Sequence, residues 1–247
     1  MSFPKTEKPD TFFDCCPLRL QPLPSIHPAP FASRKYKYLC YSIPKNGCTT
    51  VKAFIYEQTH GKQKNLGLHA VRYERIKFQD IEKQEYRDYF SFAFTRNPWD
   101  RIVSCYFSKI KNPALERVCA QGMVNGESCF FIRRYGHCGF RYMTFDDFVQ
   151  FVSRVPDWAS DHHFLSQHCF INQKHLKFTA RFENFHKDFS SIVKHIDQRY
   201  NIENLLKKKL MGSRHNHYTT YYTNKTRRLI EERYKKDIEM FSYQFGD

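Results

Sequence analysis

The chain has 247 residues, 41% of them apolar, which is enough for one sizeable core and excludes a wholly disordered polypeptide. Its formal charge of +15 marks a surface that attracts anions such as nucleotides, nucleic acid, anionic lipid or acidic polysaccharide, without choosing among them. The nine cysteines are odd in number and include the adjacent pair Cys15 and Cys16, a poor fit to a disulfide framework, so reduced thiols are expected; no apolar run reaches the ~20 residues that a membrane-spanning helix needs.

Seven of the eleven prolines precede Phe31, so residues 1–35 are expected to form a proline-rich extended arm and residues 36–247 one folded domain. The charges of the first thirty residues cancel, leaving the positive excess on the remainder. Tyr36 to Ile43 is an aromatic and β-branched run that ends at Pro44, and Thr49 to Gln58 has helical patterning. The layout then repeats. Tyr89 to Thr95 reads as a buried strand, and Pro98 suits the first turn of a helix reaching about Lys111. Residues 111–141 give no clear pattern. Phe145, Phe148, Val149 and Val152 mark the apolar face of another helix, Lys177 to Phe182 a strand, and Phe185 to Ile196 a helix. Leu229, Ile230, Tyr234 and Ile238 recur at helical spacing near the end. Alternating strands and helices predict an α/β fold, a single P-loop-like domain with a central parallel sheet flanked by helices.

Two of the connections carry chemistry. In Pro44-Lys45-Asn46-Gly47-Cys48-Thr49-Thr50 the glycine lets the backbone approach a ligand, and the amides point outward at a helix N-terminus. Lys45 adds a full charge, and the Thr49 and Thr50 hydroxyls can each donate to a phosphate oxygen. The spacing is not that of a nucleoside triphosphatase loop, since the lysine precedes the glycine. Taken alone, the turn equally suits an ordinary connection with a capping threonine and a solvated lysine. The second connection, Arg96-Asn97-Pro98-Trp99-Asp100-Arg101, places a guanidinium at a strand end, with Ser104 two helical turns onward where its hydroxyl can reach the same phosphate. An ion pair between Arg96 and Asp100 is the plainer alternative.

With both connections in view, the sequence resembles the sulfotransferases that use 3′-phosphoadenosine-5′-phosphosulfate (PAPS), and within them the family 2-like branch that modifies glycosaminoglycans and bacterial glycans. IPKNGCTT resembles the segment that holds the 5′-phosphosulfate in that family, and FTRNPWDRIVSCY the segment that holds the 3′-phosphate. Further similar stretches are His69-Ala70, HHFLSQHCFI, RFENF and the ending RHNHYTTYYT to LIEERYKKDIEMFSY, so the likeness runs from about Tyr36 to Tyr243. It implies that Lys45, Asn46, Gly47, Cys48, Thr49 and Thr50 serve the 5′ side, and that Arg96 and Ser104 serve the 3′-phosphate. It also implies PAPS as co-substrate, no metal, and a carbohydrate hydroxyl as acceptor, with acidic polysaccharide among the acceptor classes. Lys45 would stabilise the leaving phosphate and His69 would be the general base, with His162, His163 and Glu183 in reserve. The expected compartment is the cytoplasm for a bacterial-type soluble enzyme, or the Golgi lumen for a eukaryotic member whose anchor lies elsewhere. Two rival readings are a basic nucleic-acid-binding module, for which the sequence offers no recognised motif, and a catalytically silent relative, against which Lys45, Arg96 and Ser104 argue.

Overall fold

Every second side chain of a strand faces the same way, and here the alternation divides two layers of core. In the computed structural model, which describes residues 20, 22, 27–61, 73–111, 143–207 and 215–247, four strands form one sheet. They are β1 (Phe31–Ser33), β2 (Tyr38–Tyr41), β3 (Phe90–Thr95) and β4 (Phe178–Arg181), hydrogen-bonded in that order. β2, β3 and β4 are parallel, with Tyr38 opposite Phe90 and Phe92 opposite Phe178, while β1 runs antiparallel on the outside with Phe31 opposite Cys40.

Seven α-helices are found among the described residues: α1 (Cys48–His60), α2 (Pro98–Lys109), α3 (Phe145–Arg154), α4 (Phe185–Ile196), α5 (Glu203–Lys207), α6 (Asn224–Arg233) and α7 (Lys235–Phe241). Tyr38, Cys40, Phe92 and Phe94 face α1 and α4, where they meet Phe54, Phe189 and Val193. Leu39, Tyr41 and Ala93 face the opposite layer with Leu165, Phe170 and Phe241. A third cluster joins α2, α3 and α6 through Trp99, Tyr106, Phe148 and Ile230, so the helix that follows the second turn is anchored on both flanks. Phe54 is fully buried, with Phe189 and Tyr200 edge-on at 5.7 and 5.0 Å; its truncation to alanine should cost about 3–5 kcal/mol.

Three differences from the sequence reading stand out. β1 lies within the stretch expected to be an extended arm, because Phe31 and Ala32 reach the edge of β2 through a hairpin in which Lys37 takes φ 50°. Prolines 28 and 30 precede it and therefore cost the ladder nothing. The helical run near the end is two helices, α6 and α7, parted at Tyr234 with φ −115° and ψ 22°. There the buried Tyr234 hydroxyl donates to the Phe164 carbonyl, and the turn delivers the fully buried Asp237 carboxylate to the backbone N–H groups of Gln167 and His168. Helix α2 also ends two residues before the expected Lys111.

Cys40, Cys48, Cys105 and Cys169 are free thiols, as expected of these four; the remaining cysteines lie outside the described residues. Among the described residues no helix is long and apolar enough to cross a membrane.

Candidate functional site

The parallel pair β2 and β3 ends in two turns lying side by side, each leading into a helix. In the first, Lys45 at φ 74° and Gly47 at φ 76° are both left-handed and bracket Asn46. The left-handed region costs a residue with a Cβ about 1 kcal/mol or more, so the Lys45 backbone must be held by its neighbours. It is: the Pro44 carbonyl accepts from Arg101 Nε at 3.1 Å and the Lys45 carbonyl from Arg96 Nη1 at 2.8 Å. Asn46, 1% exposed, donates through Nδ2 to the Phe94 carbonyl and to Gln167 Oε1, both at 2.7 Å. Gly47 allows a second close approach, since a Cβ there would lie 2.4 Å from the Phe185 ring. Helix α1 then starts at Cys48 with no side-chain cap and no acidic residue in its first turn, so the partial positive charge at its N-terminus is not offset by its own residues.

The second turn is built differently. Arg96 closes β3, and its Nε and Nη2 each lie 2.8 Å from Asp100 Oδ2 while the guanidinium stacks 4.3 Å from the centre of the Phe182 ring. The ion pair that sequence offered as the plainer alternative is therefore present, but it is largely buried, with the Arg96 side chain 7% exposed. Of the guanidinium's five N–H donors, Asp100 and the Lys45 carbonyl engage three. Asn97 caps α2 through Oδ1, which accepts the Trp99 N–H at 3.1 Å. Ser104 is buried in the second turn of α2.

Lys45 bridges the two units. Its Nζ donates to Ser108 Oγ on α2 at 2.7 Å, and among the described residues no carboxylate forms an ion pair with it. Burial pulls its pKa down to about 8, and the positive charges of Arg96 and Lys109 push the same way. The ammonium is thus poorly compensated where it stands. Thr49 and Thr50 are partly exposed in the first turn of α1, as is Cys48.

Behind the turns runs the HHFLSQH segment. Gln167, fully buried, accepts through Oε1 from Asn46 and from the Arg96 N–H at 3.0 Å, and donates through Nε2 to the Arg96 carbonyl at 2.9 Å. Arg101, 1% exposed, links Pro44 to the Leu165 carbonyl at 2.8 Å. Asp161 accepts from the backbone N–H of His163 at 2.8 Å and from its Nδ1 at 2.7 Å. Burial drives the His163 pKa down to about 4, whereas Asp161, though buried, is held at about 2 by hydrogen bonds from His163. His162 lies against His163 with ring centres 4.1 Å apart and planes tilted by 36°, and its side chain is 48% exposed. The Lys109 charge adds a small depression to both Lys45 and His163.

His69 lies outside the described residues. Glu183, a reserve base in the sequence, accepts the Asn97 N–H through Oε1 at 2.7 Å and the Tyr243 hydroxyl through Oε2 at 3.2 Å, bracing the second turn. Two groupings, Asp157 with His168 and Cys169, and Asp161 with His162 and His163, have ligand-type atoms within 4.8 Å of one another. In the first, Asp157 is paired with Arg233 at 2.7 Å and His168 with Asp237 at 2.7 Å; in the second, Asp161 and His163 are bonded to each other.

The sequence did not single out Gln167, Arg101 or Ser108. A buried arginine and a buried glutamine have no local pattern, because their partners lie 57 to 121 residues away along the chain. Ser108 had a usable signal, standing one helical turn beyond Ser104 on α2.

Searches of curated proteins and of solved structures found no match to the chain. A sequence model of the sulfotransferase family, however, matches residues 30–244, which takes in β1, both turns, the HHFLSQH segment and the α6–α7 ending. The chain belongs to the sulfotransferase family, of the family 2 type.

Proposed function

We propose that the two turns bind PAPS and that the enzyme transfers its sulfuryl group to a hydroxyl of a carbohydrate acceptor. Membership of the family makes the chain a transferase of sulfuryl groups. The observation that carries the finer reading is the junction of the turns, where the Lys45 ammonium meets a neutral hydroxyl and the Arg96 guanidinium spans to the Lys45 carbonyl. That donor set fits a ligand with two separate phosphates. PAPS, when bound, supplies a sulfuryl group on a good leaving phosphate.

The chain's own residues then have distinct tasks. The backbone N–H groups at the start of α1 and the Thr49 and Thr50 hydroxyls donate to the 5′ phosphate, Gly47 and Cys48 keep the backbone close to it, and Asn46 holds the turn in shape from beneath. Lys45 leaves Ser108 and neutralises charge on the leaving phosphate, the term that matters most for a loose, in-line transfer. Arg96, with two N–H donors beyond its contacts among the described residues, and Ser104 hold the 3′-phosphate. His69 takes the acceptor's proton. No metal is required, since Lys45, Arg96 and the start of α1 provide the positive charge.

The +15 charge supports an anionic acceptor such as an acidic polysaccharide. The same charge also suits nucleic acid, and one experiment separates the readings: thermal stabilisation by 3′-phosphoadenosine 5′-phosphate (PAP), ATP and a short DNA duplex, followed by transfer of radiolabelled sulfate from PAPS to a polysaccharide panel. The proposal expects a melting shift with PAP larger than with ATP or DNA, and label in at least one glycan. A shift with DNA alone would overturn it.

A further inference from the structure

Two phosphate sites on different strands bind one nucleotide well only if the distance between them is fixed before the ligand arrives. The Gln167 side chain occupies that joint. Its Oε1 accepts from Asn46 Nδ2 at 2.7 Å, in the first turn, and from the Arg96 N–H at 3.0 Å, in the second. Its Nε2 returns a bond to the Arg96 carbonyl at 2.9 Å, so the Arg96 peptide unit is clamped on both sides as a neighbouring strand would clamp it. The donor pattern leaves one assignment of the amide: the oxygen faces two N–H donors and the nitrogen a carbonyl. The backbone behind it is pinned in turn, since the Gln167 N–H donates to Asp237 Oδ2 at 2.6 Å and Asp237 is fully buried. The Gln167 side chain is itself fully buried beneath the turns.

We propose that Gln167 is a positioning residue that sets the spacing between the 5′ and 3′ phosphate sites, so that a nucleotide carrying both phosphates gains affinity from the two at once. This rests on the donor-site reading given above. Each half-site has its own local supports. Asn46 keeps its bond to the Phe94 carbonyl and Pro44 its bond from Arg101, and Arg96 keeps Asp100. Loss of the amide should therefore spare the 5′ site while loosening its link to the other. Misplacement of a binding group by about 1 Å is worth up to about a hundredfold, which sets the scale of the effect.

The test compares PAP with adenosine 5′-monophosphate by titration calorimetry on the parent protein and on Gln167→Met, which conserves length and removes all three side-chain hydrogen bonds. In the parent, the second phosphate should give PAP an advantage on the order of 100-fold. In the variant, affinity for the monophosphate should stay within about twofold while the PAP advantage falls below about tenfold. A general loss of stability would weaken both ligands together and leave the ratio alone. Gln167→Glu, which keeps the two accepted bonds but loses the donated one and sets a carboxylate oxygen against the Arg96 carbonyl, should give an intermediate ratio and serves if the methionine variant does not fold. If the parent prefers PAP and the variants keep the full ratio, Gln167 is a structural residue only and the proposal is wrong. If the parent itself does not distinguish the two nucleotides, the donor-site reading fails first and takes the proposal with it.

Discussion

Lys45 carries a proton at a cost in the ligand-free protein, and on the proposed reading that cost makes nucleotide binding depend on pH in a predictable window. Burial and two neighbouring cations bring its pKa to about 8, while the leaving phosphate of a bound nucleotide would return it at least to the lysine range near 10.5. Below pH 8 the free protein is already protonated and affinity is flat. Above it, each pH unit removes about a factor of ten, because the ammonium must be restored on binding. Affinity for PAP should be about tenfold weaker at pH 9 than at pH 7, with close to one proton taken up per nucleotide at pH 9 and about a tenth of one at pH 7. The sign for folding is the reverse: the free protein gains stability as pH rises from about 8 towards 10.5, since in that range only the unfolded chain keeps the proton. The ligand's phosphates lose their last protons near pH 6, so they do not titrate in the window. The Cys105 thiol, which burial raises to about 12, does not either. Calorimetry at pH 7, 8 and 9, in pairs of buffers that differ in ionisation enthalpy, reads both quantities. Lys45→Arg should bind with a flat profile. Equal affinity and no proton uptake at pH 7 and 9 in the parent would refute the argument, as would an unchanged slope in Lys45→Arg.

Gly47→Ala should lower stability by about 1–3 kcal/mol, because it puts a Cβ into a left-handed backbone and 2.4 Å from Phe185; an unchanged melting temperature would contradict that geometry. Arg96→Ala should cost PAP binding about 2–4 kcal/mol and weaken adenosine 5′-monophosphate by much less, through the lost bond to the Lys45 carbonyl alone, a pattern that equal losses for the two ligands would refute. His69→Ala should keep PAP affinity and lower turnover by about 10²–10⁴-fold once an acceptor is in hand. Normal turnover in that variant, with loss of turnover in His163→Asn, would move the base to the Asp161–His163 pair, whose depressed pKa keeps the imidazole neutral down to about pH 4.

Sequence periodicity located β2, β3, β4 and the helices from α1 to α4 to within a few residues, because each buries a face whose spacing is local. It missed β1, whose three residues pair only after β2 exists, and the break at Tyr234, which is set by a carbonyl 70 residues away. The two strand-turn-helix connections were legible because strand end, glycine or proline, and helix start follow one another along the chain. What joins them was not. The linear motif assigns Asn46 to the 5′ side, while its side-chain Nδ2 donates to Phe94 and Gln167, partners 48 and 121 residues away that no local pattern shows. Glu183 was a reserve base in the sequence, and its carboxylate accepts from a backbone N–H and a tyrosine hydroxyl that lie far along the chain.

The two cations of the site differ in a way that bears on how it would work. Arg96 has its charge balanced by Asp100, its plane stacked on Phe182 and its peptide held by Gln167; binding there changes little in either charge or position. Such a group suits recognition, which needs the same contact in every state of the reaction. Lys45 is the opposite: a flexible ammonium, partly desolvated, resting on a neutral hydroxyl beside an uncapped helix start. Its interaction with a phosphate strengthens as negative charge builds on that phosphate, and only interactions stronger in the transition state than in the ground state raise the rate. On the proposed reading, the uncompensated charge lies at the 5′ end, where the S–O bond breaks, and the compensated charge at the 3′ end, where nothing reacts. Exchanging a rigid, paired guanidinium for the mobile ammonium in Lys45→Arg should therefore preserve binding at pH 7 but slow transfer, and a variant that transfers sulfate as fast as the parent would show that the charge at this position, not its freedom to follow the leaving phosphate, is what the reaction needs.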